Sequence, residues 1–545
     1  MKISLFLFLF IIFSSFYGIK AAEEIEARIR IDGKGNWIVE RDQFSEELLY
    51  VATAFYTPGL SETGWDFLSI TTNNQFSDEL QAEGAGRLEA SLTKEGIYNH
   101  YHNMLSTAGP LNEFTANFFK KQEEYLLSKK SEYNENPIFY NAYLLYLQFK
   151  GLREQYNLEV EESRRIDPIE FNVMNSFGDV MDIKKKKNRP NFDEMDKEEM
   201  YQYFVLNNHC SAMFKLKYDL SDIFFGHNSW YYLNMMTRIF KEYNLNFNHE
   251  SVKTHNVMFS SYPGSIVSND DFYFTSKGLV VIETTNSVYN ESSYDLITEE
   301  SLLCWQRVQL SNRMSSSAKE WTELFSKYNS GTYNNQYMIL DTKQIEFGNY
   351  TKIKENVLMI IEQIPGYLEI NDVSDHLKFG YWPSYNIPYG KNVGKLSNIE
   401  NTINSKPERN MRLYNDYNNC SRANIMRRDQ YKINDIESFK TFMQYNDYLN
   451  DPFSGGSPGE SIASRYDLRK EAPLCYGAFD TKLSSVKEIK QSPKKTIYLY
   501  SGATKQVEPL FSFNSDACIN VTHIGIPDTP NNDWVTFNNK YNFDE

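Results

Sequence analysis

The chain has 545 residues, 41% of them hydrophobic, and a formal net charge of -16 at pH 7. That acidity, with no basic stripe, excludes a grip on nucleic acid, and beyond the start no run approaches the about 18 apolar residues of a membrane span. The length allows two or more domains or one large core with insertions, and 39 Tyr and 37 Phe favour a strand-rich core.

Residues 1–22 read as a secretory signal. Lys2 supplies the basic start, Ile3 to Phe13 is apolar apart from Ser4, and Ala21 and Ala22 precede Glu23 and Glu24. Losing Lys2 and Lys20 takes the charge from -16 to -18. The mature chain is therefore expected without a transmembrane anchor, secreted or lysosomal. Acceptors for N-glycosylation at Asn290, Asn349, Asn419 and Asn520 fit that route; Asn419, with Cys420 as its middle residue, is the weakest. The segment Tyr541-Asn542-Phe543-Asp544-Glu545 matches no retention or lipid-anchor motif.

Residues 23–183 form a first block. Strands are expected at 27–31 and 37–39 around Asp32-Gly33-Lys34-Gly35, and at 64–70. Helical periods follow at 81–102, 114–130 and 137–156. Gly84-Ala85-Gly86 lacks the lysine and the spacing of a phosphate loop. In 184–209 a basic run from Lys184 to Arg189 meets Pro190 and an acidic run from Asp193 to Glu199, which reads as an exposed linker and, lying just before Cys210, as a processing segment.

Residues 210–545 open on a hairpin. Ser211, Met213 and Lys215 share one face of its first strand; Ala212, Phe214 and Leu216 share the other. Residues 218–222 turn the chain, and 223–227 return. The hairpin brings Cys210 near His227, with Trp230 just beyond. A thiol beside an imidazole is the minimum kit for an activated nucleophile, although most lone cysteines are buried and inert. Residues 231–243 read as a helix. Strands follow at 251–260, 271–275 and 278–286, the last apolar enough to be buried on both faces. A helical stretch at 302–325 and strands at 337–341 and 357–362 come next, and from about Lys391 the chain is rich in turns, including Ser454-Gly455-Gly456-Ser457-Pro458-Gly459. Of Cys210, Cys304, Cys420, Cys475 and Cys518, the pair Cys475–Cys518 in the loop-rich part is the expected disulfide. No His-Glu-x-x-His, Cys-x-x-Cys or Gly-x-Ser-x-Gly occurs, so neither a metal or other cofactor nor a conventional serine lipase is expected.

Several long segments carry a resemblance. Cys210-Ser211-Ala212 leads to His227-Asn228-Ser229-Trp230. Glu283-Thr284-Thr285-Asn286, 327–337, 362–366, 380–386, 421–430 and 475–482 follow. Together they resemble the phospholipase B-like family, relatives of the lamina ancestor protein, over nearly the whole mature chain. Asn424 departs from the lysine usual there. The resemblance implies an αββα sandwich of the N-terminal nucleophile hydrolase type. It implies autocleavage before Cys210, which becomes the nucleophile, and two fragments, 23–183 and 210–545, that stay associated without a covalent link. It implies removal of fatty acyl chains from phospholipids. For such chemistry, Asn334 or Asn335, and secondly Asn286, are the candidate oxyanion donors. His227 tunes the amine and thiol, Trp230 walls the pocket, and one of Arg427 and Arg428, taken as Arg428, steadies the site. The alternatives are an N-acyl amide hydrolase of the same mechanism and a catalytically silent lipid-binding glycoprotein.

Overall fold

Period-two alternation builds the core. A computed structural model of the protein describes residues 23–541 except 190, 192–193, 208–209, 349–352, 400, 402–415 and 492. The expected signal, Asn349 and His209 therefore lie outside the described residues. Before Cys210 come β1 (Ile25–Ile31), β2 (Trp37–Arg41), β3 (Ala52–Thr57) and β4 (Trp65–Thr72). After it come β5 (Cys210–Leu216), β6 (Ile223–Tyr232), β7 (Arg238–Asn244), β8 (Asn256–Ser261), β9 (Phe272–Thr275) and β10 (Leu279–Thr285). The rest are β11 (Asn335–Asp341), β12 (Leu358–Ile364), β13 (Tyr367–Asp372), β14 (Tyr381–Ser384), β15 (Tyr476–Ser485), β16 (Thr496–Ser501) and β17 (Val535–Asn538).

These strands form an 11-stranded sheet, β13-β12-β11-β10-β9-β8-β7-β4-β3-β1-β2, and a 6-stranded sheet, β14-β5-β6-β15-β16-β17. Neighbours run antiparallel except β4 and β7, which pair in parallel from Trp65↔Arg238 to Thr71↔Asn244. In β10, β11 and β12 successive side chains part to opposite faces. Leu279, Val281, Tyr337, Ile339, Met359 and Ile361 join one cluster with the helices Asp78–Ala108, Pro137–Glu159, Cys304–Met314 and Ala318–Phe325. Val280, Ile282, Met338, Leu340, Leu358 and Ile360 join a second cluster with Ala212, Phe214, Phe225 and Leu499 of the smaller sheet. On that sheet's other side, Met213, Phe224 and Leu483 meet Ile425, Met426, Phe439 and Met443 from the helices Ser421–Asp429 and Ile436–Met443. The protein is thus mixed α+β, with two large sheets and helices.

Three expectations are corrected. Residues 231–243 are not a helix: β6 runs to Tyr232 and β7 starts at Arg238. The turn-rich C-terminal part holds β15, an inner strand of the smaller sheet. The lysine run of the expected linker forms the last turn of the helix Phe177–Lys187. Lys184 Nζ donates to the Ala108 carbonyl at 2.9 Å, Lys185 Nζ to Asn207 Oδ1 at 2.8 Å, and Lys186 Nζ to the Ile297 carbonyl. A second helix, Lys197–Leu206, follows. The disulfide Cys475–Cys518 is present as expected. Among the described residues no helix is long and apolar enough to cross a membrane.

Candidate active site

Cys210 is the first residue of β5, opposite Ser229 of β6, and it is buried. Its Sγ lies 3.8 Å from Glu283 Oε1 on β10. Ligand-type atoms of Cys210, His227 and Glu283 all lie within 4.8 Å of one another. His227, opposite Ala212 and Lys482, is fully buried. Burial sets the charge state of this trio, because the low-dielectric surroundings penalise every ionised form. Burial, reinforced by Glu283, holds the Cys210 thiol well above its usual range. Burial and Lys482 hold His227 well below its own. Burial and Asp271 hold the Glu283 carboxyl well above its own. Each shift favours the neutral form of its group.

A charged frame surrounds them. Asp270 Oδ2 accepts from Arg238 Nη2 and Lys482 Nζ, each at 2.7 Å, and from Ser229 Oγ at 2.5 Å. Asp480 meets Lys482 Nζ at 2.8 Å and Arg238 Nε at 2.8 Å. Burial opposes ionisation of Asp270, but the two cations outweigh it and lower its pKa. Asn269 and Asp271 flank Asp270 with φ of 66° and 25°. On the other side, Arg422 donates through Nη1 to the Cys210 carbonyl and to Asn386 Oδ1 (2.8 Å), and through Nη2 to the Tyr385 carbonyl (2.8 Å). Its guanidinium lies 4.4 Å from the Trp230 ring centre. Asn386 has φ 69°, and its Oδ1 accepts from the Cys210 N–H at 3.5 Å. A left-handed non-glycine residue costs about 1–3 kcal/mol, so these contacts hold Asn386 in place.

A pocket opens beside the thiol, lined by Cys210, Trp230, Asp270, Asn286 and Tyr333, and by Phe177, Asp182, Lys185 and Asn207 from upstream of Cys210. Its free volume of about 40 Å³ holds a few waters rather than an acyl chain.

The family model for phospholipase B matches residues 52–537. The chain belongs to the phospholipase B family. It is 35% identical over 521 residues to phospholipase B-like protein C of Dictyostelium discoideum, covering 93% of this chain and 90% of that one. It is 33% identical to phospholipase B-like 1 of Rattus norvegicus (96% and 91% covered). It is 34% identical to phospholipase B of Crotalus adamanteus (89% and 88%). A mutant conjugated bile acid hydrolase from Clostridium perfringens aligns with a TM-score of 0.30 and 13% identity over 61% of this chain and 97% of that one, a likeness too low to argue from.

In this phospholipase B-family chain, Cys210, His227 and Trp230 come together, and the three amides separate. Asn286 lines the pocket; among the described residues its Nδ2 reaches only Glu362 Oε1 at 3.3 Å, and its Oδ1 has no partner. Asn334 Nδ2 donates to Asp182 Oδ2 at 2.9 Å and to the Gly331 carbonyl at 3.1 Å. The Asn335 amide, oriented by its network, donates to Glu283 Oε2 at 3.2 Å and accepts from the Tyr337 hydroxyl at 3.0 Å. Arg428 is turned away. It sits on a helix rather than a strand and grips Asp451 at 2.9 and 2.7 Å and Asp429 at 2.6 Å. Arg427 donates to the Asn418 carbonyl at 2.7 Å. The arginine at the thiol is Arg422, a turn and a half earlier. Sequence reading missed Glu283, Asn386, Asp270 and Arg422. The signal for Glu283 was a carboxylate inside an apolar strand, a placement too costly to be casual. Asn290, Asn419 and Asn520 are not buried; Asn290 Nδ2 donates to the Leu396 carbonyl at 3.1 Å.

Proposed function

We propose that this chain is an acyl hydrolase that removes fatty acyl chains from phospholipids, with Cys210 as an N-terminal nucleophile freed by self-cleavage of the His209–Cys210 bond. The observation that carries the reading is the thiol at the head of β5, at a pocket wall and 3.8 Å from Glu283 Oε1. In the uncut chain the Cys210 nitrogen is an amide and cannot act as a base. Unprotonated His227 takes the thiol proton only as the sulfur adds to the carbonyl carbon of His209, so no free thiolate–imidazolium pair has to form in the buried site. The C–N bond breaks as the nitrogen gains a proton, and water hydrolyses the thioester. In the cut enzyme the new α-amine, titrating near pH 8 in water, takes the thiol proton. The thiolate attacks the acyl carbonyl, and Asn286 donates to the oxyanion. The ammonium protonates the leaving oxygen, and water releases the fatty acid from sulfur. Asn386 Oδ1 positions the amine, and Arg422 positions Asn386.

The parallel β4–β7 pairing and the buried Glu89–Lys241 ion pair (2.7 Å) support lasting association of the 23–183 and 210–545 fragments. Core clusters on both faces of each sheet support an αββα sandwich. Loss of the processing segment removes both Lys185 and Asn207 from the pocket wall and so enlarges the pocket. The leader and the acceptor sites support a secreted or lysosomal glycoprotein.

Mass spectrometry of the purified protein tests the reading. A fragment starting at Cys210 is expected in the wild type and a single chain in Cys210→Ala; an alanine variant still cut at this bond overturns self-processing. The cut enzyme is then offered a phospholipid and an N-acyl amide of equal chain length. Cleavage of the amide alone would leave the nucleophile standing and refute the phospholipid substrate.

A further inference from the structure

We propose that Cys210, His227 and Glu283 bind one divalent cation of the zinc class and that the bound ion keeps the thiol from reacting. The second half rests on Cys210 being the nucleophile; the binding stands on the donor set alone. Thiolate, imidazole and carboxylate are the three side-chain ligands Zn²⁺ takes. Their atoms lie within 4.8 Å of one another, and Sγ–Oε1 is 3.8 Å. Zinc bonds of about 2.0–2.3 Å in a tetrahedron set donors roughly 3.3–3.8 Å apart, so a small inward shift closes the site.

His227 supplies the independent observation. Among the described residues neither ring nitrogen has a hydrogen-bond partner of good geometry, although the ring is fully buried. Leaving a buried polar group unsatisfied costs about 1–3 kcal/mol, and a ligand removes that cost. The Glu283 backbone carbonyl lies beside the ring. Such a fixed acceptor is what a metal-binding histidine uses for its second N–H. Glu283 is itself braced: the Tyr333 hydroxyl meets Oε1 at 3.1 Å and the Asn335 amide meets Oε2 at 3.2 Å. The ion enters through the pocket that Cys210 lines. The fourth position is open to a water, or to the freed Cys210 amine, which would close a five-membered chelate with its own sulfur. Binding releases the thiol and carboxyl protons to solvent. Thiolate and carboxylate then match the ion's two charges, so the buried centre stays neutral. The ligands come from β5, β6 and β10, which is why no sequence spacing announces them.

Metal-free full-length protein is titrated with Co²⁺, a spectroscopic stand-in for Zn²⁺. One equivalent is expected to produce a thiolate-to-cobalt charge-transfer band that Zn²⁺ removes. Cys210→Ser, shown folded by circular dichroism, loses the band. The near-isosteric Glu283→Gln weakens Zn²⁺ by about 10–100-fold or more. Absence of the band in folded wild type overturns the proposal, as does a band that survives in Cys210→Ser, which assigns it to Cys304 or Cys420. An intact band in a protein that turns over no acyl substrate supports the site and counts against the hydrolase reading, so the two failures are separable.

Discussion

Asn286→Ala asks which buried amide faces the developing oxyanion. Asn286 Nδ2 makes one long contact, 3.3 Å, with Glu362 Oε1. Glu362 keeps Gln336 Nε2 at 2.7 Å and the Tyr389 N–H at 2.9 Å without it. The fold therefore loses about 1 kcal/mol, the net worth of an ordinary hydrogen bond. Losing an oxyanion donor costs far more in rate: about 10²–10³ in kcat, or about 2.7–4 kcal/mol of barrier. The two effects are distinguishable in size. Asn334→Ala should behave differently, because its amide ties Asp182 of the helix Phe177–Lys187, a pocket wall; KM rises more than kcat falls. Asn335→Ala removes a brace of Glu283 and slows self-cleavage first. The assay is steady-state turnover of a phospholipid by protein already cut at Cys210, with urea unfolding beside it. An Asn286→Ala enzyme within tenfold of wild-type kcat would refute the argument and pass the role to backbone amides.

Stability should fall between pH 5 and pH 7. Burial raises Asp179 to about 6, and Asp271 and Glu460 to about 7, and it raises Glu283 as well. Unfolded carboxyls titrate near 4. Between those values the fold keeps protons the unfolded chain has lost, so each such group weakens the fold by about 1.4 kcal/mol per pH unit of rise. Buried His100, lowered to about 3, His227 and half-buried His102 act in the opposite sense below about pH 6.5, but the raised carboxyls, which also include Asp66, Glu242 and Glu362, outnumber them. A urea midpoint that rises from pH 5 to pH 7 would contradict this balance. Gly178→Ala should cost about 1–3 kcal/mol, because the new Cβ would stand 2.0 Å from Tyr333 Cδ2 and push that ring off Glu283. Gly394→Ala, with nothing within 4 Å, is the control and should leave midpoint and cleavage rate unchanged. Equal midpoints for the two variants would show that Tyr333 can move freely.

What the sequence shows, and what it hides, follows from where charges go. The hairpin is legible because its apolar alternation is clean: Ala212 and Phe214 face one core cluster and Met213 another. Residues 231–243 are misread because Arg238, Lys241 and Glu242 look like a solvated helix face, yet all three are buried in β7. Arg238 is neutralised by Asp270 and Asp480, and Lys241 by Glu89, partners far off in sequence. The lysine run at 184–187 deceives in the same way, since carbonyls of two distant segments take up Lys184 and Lys186. The site extends the rule. Its frame is charged but balanced, with Asp270 and Asp480 set against Arg238 and Lys482, while burial pushes thiol, imidazole and carboxyl at its centre toward their neutral forms. A neutral centre is the cheapest to bury, and it is also a slow one, because a nucleophilic sulfur must lose its proton as it attacks. On the proposed mechanism, cleavage adds the missing ingredient, an amine that can take up a proton, beside Asn386 and Arg422. The costly placement of Glu283 in an apolar strand is then the price of latency, and activation needs no rearrangement of the sheets that hold Cys210.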